Sequence, residues 1–267
     1  MLGTFIYGLP PLVLTGLVLL GTISVSSFMV WFCRRYVSII KTAPDAVKIE
    51  TYSDAFGIAF AILLGLIIVT AWSSYDKTDD YVKTEVNYLS DLYQQSEYLN
   101  DVAQKELRQN LRDYVKEVVD VEWPLLSQGK YSQTADNLMF RNFHILYQYV
   151  PSDKKEEFVL AQMNKIATDA SEKRRSRILN ASSSLTPIMW VILFTCNIIG
   201  FFILGMYIEG RTDLHIMLQS LYAVGMGLML LLVIVLDRPF YEFGGGISSE
   251  PFKKLIHEWD HAENKLE

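Results

Sequence analysis

Two long apolar runs, Ile188–Ile208 and Leu214–Leu236, stand side by side with only Glu209, Gly210, Arg211, Thr212 and Asp213 between them. A helix rising 1.5 Å per residue needs roughly 20 apolar residues to cross a bilayer core, and each run meets that length. In hydrocarbon every backbone N–H and C=O must find its partner inside the segment, so a run of this kind is a helix. The polar interval is short enough for nothing but a tight turn. The pair predicts a transmembrane hairpin, ending at Asp237-Arg238-Pro239-Phe240, where two charges and a proline stop both the apolar segment and the helix.

Two further runs precede this hairpin. Leu12–Cys33 is entered through Pro10-Pro11 and followed by Arg34 and Arg35. A cleaved leader carries its basic residues ahead of the apolar stretch, so this run is expected to be a retained helix. Residues 34–53 read as a polar loop with a turn or helix break at Pro44-Asp45, and Ala55–Trp72 is the fourth span. Within it Gly57, Ala61 and Gly65 recur at four-residue spacing. Small residues on one helical stripe either let another backbone approach closely or leave room for a pore. Although 51% of the residues are hydrophobic, 20% are charged, and the charges gather in 76–178 and 237–267.

Neither glycine nor proline occurs from Ala71 to Trp123. Val86, Leu89, Tyr93, Leu107, Leu111, Tyr114, Val115 and Val118 fall at helical spacing there. The second span is therefore expected to continue as a long amphipathic helix, interrupted near Ser96–Asp101 and ended by Glu122-Trp123-Pro124. Residues 127–136 read as a loop around Gly129, and Asn137–Val150 as a short packed helix. Pro151-Ser152-Asp153 opens the last helix of this region, with Ser152 or Asp153 as cap and Glu156 in the first turn; it runs through the basic cluster Lys173-Arg174-Arg175-Arg177. The fold class is an all-α membrane protein, four transmembrane helices plus a helical extramembrane layer formed by long extensions of spans two and three. Its parts are a first transmembrane pair (1–73), the helical region (74–185), a second pair (186–236) and a polar tail (237–267).

No nucleophile elbow, phosphate loop or zinc-protease motif is spelled, so the chain does not read as an enzyme. His257 and His261 lie one helical turn apart without a third ligand, and Cys33 and Cys196 fall in or beside apolar runs; neither a metal site nor a cofactor is expected. Gly244-Gly245-Gly246 reads as a linker. A net charge of −6 argues against a general nucleic-acid binder. Asp76, Asp79 and Asp80 form either a solvated collar or, in an oligomer, a ring attracting cations. Asn197 and Gln219 are amides inside spans three and four, expected to hydrogen-bond to neighbouring helices. The spans carry no interior charge, which argues against a proton-coupled transporter or voltage sensor. The distribution of basic residues leaves open which side of the membrane residues 74–185 occupy.

Several segments resemble the bestrophin-like domain family of bacterial and plant membrane proteins: DAFGIAFAILLGLIIVTAW (54–72), VVDVEWPLL (118–126), PIMWVILF (187–194) and above all VLDRPFYEFGGGISSEPFKKLI (235–256). The resemblance spans residues 50–256. More distantly, Asp237-Arg238-Pro239-Phe240 is similar to the acidic-Pro-Phe segment that follows span four in bestrophins, which are pentameric anion channels. The pore-neck aromatic pattern and calcium-clasp acidic run of those channels are absent. The resemblance implies a homo-oligomer, a pentamer by analogy, sitting in a bilayer as an ion channel or channel-like pore with its permeant ion unspecified. It also implies a bacterial inner (plasma) membrane location with 74–185 in the cytosol. A non-conducting sensor or scaffold whose helical region binds a partner is the alternative. By the same analogy the tail docks: Phe240 is expected to bury against the 74–120 helix or its neighbour, and Arg238 to pair with Asp76, Asp79 or Asp80.

Overall fold

The computed structural model of the protein describes residues 10–37, 43–182, 185–206, 212–241 and 246–263. In chain order its helices are α1 (Pro11–Tyr36), α2 (Ala43–Gln95), α3 (Asp101–Glu117), α4 (Trp123–Leu126), α5 (Gln133–Gln148), α6 (Lys154–Leu179), α7 (Pro187–Gly205), α8 (Thr212–Asp237) and α9 (Glu250–Glu263). They form two compact units. Met1–Ser74 with Ser183–Asp237 makes the membrane unit, and Tyr75–Ser182 with Arg238–Glu267 makes the helical unit.

Among the described residues four helices are long and apolar enough to cross a bilayer, over Leu12–Tyr36, Thr51–Tyr98, Pro187–Gly205 and Asp213–Asp237. These are the four spans expected from the apolar runs. The turn of the hairpin falls largely on residues 207–211, outside the described residues, as do Gly244 and Gly245 of the anticipated linker. The loop expected over 34–53 is shorter than the composition suggested, because α2 already begins at Ala43. Pro44 therefore opens a helix instead of breaking one. A missing N–H costs nothing in the first turn, where that group has no intrahelical acceptor.

Within the membrane unit α1 is crossed closely by α7 and α8 at glycines. A Cβ built on Gly205 would lie 3.1 Å from the Met29 carbonyl oxygen and 3.2 Å from Cys33 Sγ; one on Gly227 would lie 2.7 Å from Thr22 Oγ1. Small residues at such crossings let membrane helices gain van der Waals contact where lipid offers no hydrophobic drive. The Gln219 amide ties the same three helices together. Its Nε2 donates to the carbonyls of Ser26 (3.3 Å) and Phe201 (3.2 Å), while its Oε1 meets His215 Nε2 at 3.0 Å.

In the helical unit α2 stops at Gln95, a 3-10 turn occupies Ser96–Tyr98, and Asn100 caps α3 by accepting from the Ala103 N–H at 2.9 Å. The interruption thus sits where the polar stretch Ser96–Asp101 indicated. The helix does not end at Pro124. Val118–Glu122 is wound as a π-helix, with the Trp123 N–H bonded to the Val118 carbonyl, and the chain stays helical to Leu126. This wider turn restarts the helix just ahead of Pro124, so the proline occupies a first-turn position. At the start of α6 Asp153 is the cap, accepting from the Glu156 N–H at 2.7 Å. The core joins Leu89, Leu92, Leu107, Leu111, Leu146 and Met163 to Phe240, Phe252 and Trp259 of the tail.

Candidate functional site

On α2 the stripe of Gly57, Ala61 and Gly65 is exposed, and a Cβ added at Gly57 or Gly65 would meet nothing within 4 Å. These glycines differ in this from Gly205 and Gly227, whose space is taken by a neighbouring helix of the same chain. Ile58, Ile62, Leu66 and Val69 are exposed beside them. The chain thus leaves one broad face of its second span without an internal partner. At the start of this face Ser53 and Asp54 line two adjoining cavities, of about 400 and 480 Å³, together with Leu204 and Tyr222; His215 and Gln219 close one of them. Asp54 was not anticipated as a wall residue.

Asp76, Asp79 and Asp80 follow the span on the same helix. Asp79 pairs with Lys83 one turn on, whereas Asp76 and Asp80 are exposed.

The segment after α8 serves both units. Asp237 is 1% exposed, and its Oδ1 accepts from the Leu185 N–H at 2.7 Å, a contact within the membrane unit. In the helical unit Phe240 is 3% exposed and stands edge-on to Trp123, with ring centroids 5.2 Å apart. The Ile247 N–H donates to the Pro239 carbonyl at 2.7 Å, and Trp123 Nε1 donates to the Ile247 carbonyl at 3.3 Å. A Cβ on Gly246 would lie 2.2 Å from the Tyr241 carbonyl oxygen; only glycine fits there.

Sequence reasoning missed the most heavily buried polar feature of the molecule. Arg177 and Glu85 are 0% exposed and joined twice, Nε to Oε2 at 2.7 Å and Nη2 to Oε1 at 3.1 Å. Arg177 Nη2 also reaches Glu122 Oε1 at 2.9 Å, and Arg174 Nη2 reaches Glu122 Oε2 at 2.7 Å, so Glu122 bridges two arginines from successive turns of α6. Arg174 Nη1 continues to Asp136 at 2.7 Å, the Ser132 N–H donates to Glu122 Oε2 at 3.1 Å, and the Tyr114 hydroxyl donates to Glu85. The Arg177 guanidinium lies 5.5 Å from the ring centres of both Trp123 and Phe252. The network therefore reaches the residues that hold the tail.

Two carboxylates and two guanidiniums, all nearly or fully buried, cancel in charge. Burial opposes the charge on Arg177, but Glu85, aided by Glu122, outweighs it and raises the guanidinium above its ordinary pKa. Burial also pushes the Tyr114 phenol well above its usual range, reinforced by the Glu85 carboxylate and opposed by Arg177. Both groups keep their protons. No cluster of three or more metal-ligating side chains occurs among the described residues, and His257 and His261 are exposed.

The Bestrophin-like domain family matches residues 8–248 of the sequence. No curated protein matches. Among solved structures the chain is similar to a point mutant of a bacterial bestrophin homolog from Klebsiella pneumoniae, at 12% identity and a TM-score of 0.65, covering 91% of this chain and 96% of that one. A second mutant of a bacterial bestrophin homolog from the same organism gives 14% identity and a TM-score of 0.64, over 90% and 95% of the two chains.

Proposed function

The chain belongs to the bestrophin-like domain family, and from that premise we propose that this integral membrane protein assembles as a homo-oligomeric ion channel or channel-like pore. The observation that carries this reading is the unpartnered α2 face. Gly57 and Gly65 have no neighbour within 4 Å of a built Cβ, while Gly205 on α7 and Gly227 on α8 are already packed. A ring of second spans about an axis uses such a face, some of it between subunits and some of it lining the path. Asp76, Asp79 and Asp80 then contribute a carboxylate collar that concentrates cations. The location that fits is the bacterial inner (plasma) membrane, with residues 74–185 in the cytosol.

Particle size and symmetry in detergent, followed by flux across liposomes with potassium and chloride compared, test the proposal. A symmetric oligomer that conducts supports it; a monomer sinks it. Reporters fused at positions 43 and 130 test the orientation, and an alkaline-phosphatase signal at 130 with none at 43 overturns it. The helical unit leaves Val102, Tyr147 and Val150 at 77%, 77% and 82% exposure. These apolar surfaces favour a second reading, a non-conducting sensor or scaffold that binds a partner, which an oligomer without flux would select.

A further inference from the structure

The helical unit contains a half-open cavity of about 590 Å³ between the last turns of α2, the 3-10 turn, the start of α3 and α9. Its volume falls within the roughly 300–1,000 Å³ of small-molecule sites. Arg108 stands in its wall, half-buried and held in one orientation. Its Nε donates to the Ser96 hydroxyl oxygen at 2.9 Å, and Ser96, itself 0% exposed, donates to the Tyr93 carbonyl at 2.6 Å. The guanidinium carbon lies 4.6 Å from the centre of the Tyr93 ring, and that ring is stacked on Trp259 with centroids 4.4 Å apart.

Nη1 and Nη2 of Arg108 take no partner among the described residues, and neither is sealed from solvent. Arg112, one turn on, differs: it pairs with Asp260 of α9, and its Nη2 donates to the Tyr93 hydroxyl at 3.3 Å. A guanidinium fixed through Nε with its Nη pair open presents a planar fork that fits a carboxylate through two hydrogen bonds. Glu97, Asp101 and Glu258 line the same cavity and are exposed, and none of them pairs with a cation among the described residues. Together with Arg108 they give the wall a net charge of −2. A simple anion would be repelled by that surplus, and a simple cation would leave the fork unused. The complementary ligand carries one carboxylate for the fork and more than one cationic group for the acidic wall.

We propose that this cavity binds a basic amino acid, with its carboxylate on the Arg108 fork and its two cationic groups among Glu97, Asp101 and Glu258. The proposal does not depend on conduction.

The test uses the full-length protein in nanodiscs and titration calorimetry at low salt, where exposed charges are least screened. L-lysine and L-arginine are compared with cadaverine and agmatine, the same molecules without the carboxylate. Hexanoate, which keeps the carboxylate of lysine without its amines, is the third probe. At least one of the amino acids should bind saturably and about tenfold tighter than its decarboxylated counterpart, the worth of a hydrogen bond to a charged group. Hexanoate should not bind. Arg108→Gln should remove the advantage of the amino acid without weakening the amine. Glu258→Gln, an exposed change on α9, should weaken amino acid and amine alike, and keeps the test decisive if Arg108→Gln does not fold. Equal affinity of amino acid and amine in the wild type would reduce the cavity to an acidic surface that collects cations, and would overturn the proposal. Absence of saturable binding by both amino acids, or binding untouched by Glu258→Gln, would do the same.

Discussion

The two units of this chain bury polarity in opposite ways. In the membrane unit the buried polar side chains within the spans are neutral: Ser26, Asn197 and Gln219, with Asp237 only at the end of α8. In the helical unit they include the full charges of Glu85, Glu122, Arg174 and Arg177. A span must enter lipid as a finished helix, and a charge within it costs free energy that few partners offset. In the helical unit oppositely charged groups are desolvated together, each beside a counter-charge. One unit therefore buries neutral amides, whereas the other buries full charges where each meets a counter-charge.

That contrast can be broken most sharply at Arg177. Arg177→Met leaves Glu85 buried beside Tyr114 without its counter-charge, and should cost about 3–5 kcal/mol, read as denaturant or thermal stability of the helical unit. The double variant Arg177→Met with Glu85→Leu removes the charges in balance and should recover much of that loss. If the double variant is as damaged as the two single losses added together, the network is not acting as a coupled pair.

Phe240→Ala comes next, because it empties the space edge-on to Trp123 and loosens the tail. A loss of about 3 kcal/mol or more is expected for a buried aromatic, seen as a lower thermal midpoint and smaller or heterogeneous particles. Unchanged midpoint and particle size would reduce the segment to a membrane anchor.

Much of this architecture was legible in the sequence. The spans were readable because only a continuous apolar helix satisfies its backbone in lipid, and the caps Asn100 and Asp153 sit at the polar breaks between apolar stretches. Pro44 and Pro124 misled for the same reason: a proline marks a boundary without saying whether a helix ends or begins there. The buried network was hidden because Glu85, Glu122, Arg174 and Arg177 each look like ordinary surface charges. A signal was nevertheless present. Met163, Ala167, Ala170, Arg174 and Arg177 are the buried positions of α6 at steps of four and three, and Glu85 falls in phase with Val82, Leu89 and Leu92. Charges of opposite sign standing in the buried stripes of two helices mark a buried pair. The single-chain pattern could not indicate which helices would meet.

Tyr114→Phe probes the network more gently. It removes a hydrogen bond to the Glu85 carboxylate, worth about 1.5–3 kcal/mol, and should change the alkaline limb of stability. The phenol's pKa is raised in the folded protein, so the unfolded chain loses that proton first, near pH 10. The stabilisation is complete below that value and falls away as pH rises above it. The wild type should lose stability above about pH 10 more steeply than Tyr114→Phe. Parallel curves would show that the phenol does not titrate differently in the two states.

In the membrane unit the corresponding change should be smaller. Gln219→Leu removes three side-chain hydrogen bonds among α1, α7 and α8, yet polar contacts between membrane helices average only about 0.6 kcal/mol and reach about 1.7. The loss should stay in that range in a reversible detergent-unfolding assay. A cost comparable to that of Arg177→Met would erase the distinction between the units.

The smallest effect on the chain itself is expected at Gly65, and there the comparison moves inside the membrane unit. Gly227→Ala places a methyl 2.7 Å from Thr22 Oγ1. Thr22 is β-branched and its hydroxyl is held by the Leu19 carbonyl, so it cannot swing aside freely, and the α1–α8 crossing must open. Gly65→Ala meets no atom within 4 Å and exchanges a poor helix former for the best. Chain stability should therefore stay within about 0.5 kcal/mol of wild type or rise slightly. If the α2 face is used between subunits or along a conducting path, the same methyl must register there, as altered particle size or altered ion flux in liposomes. A Gly65→Ala variant unchanged in stability, particle size and flux would mean that this face looks only at lipid, and would remove the observation on which the pore reading rests.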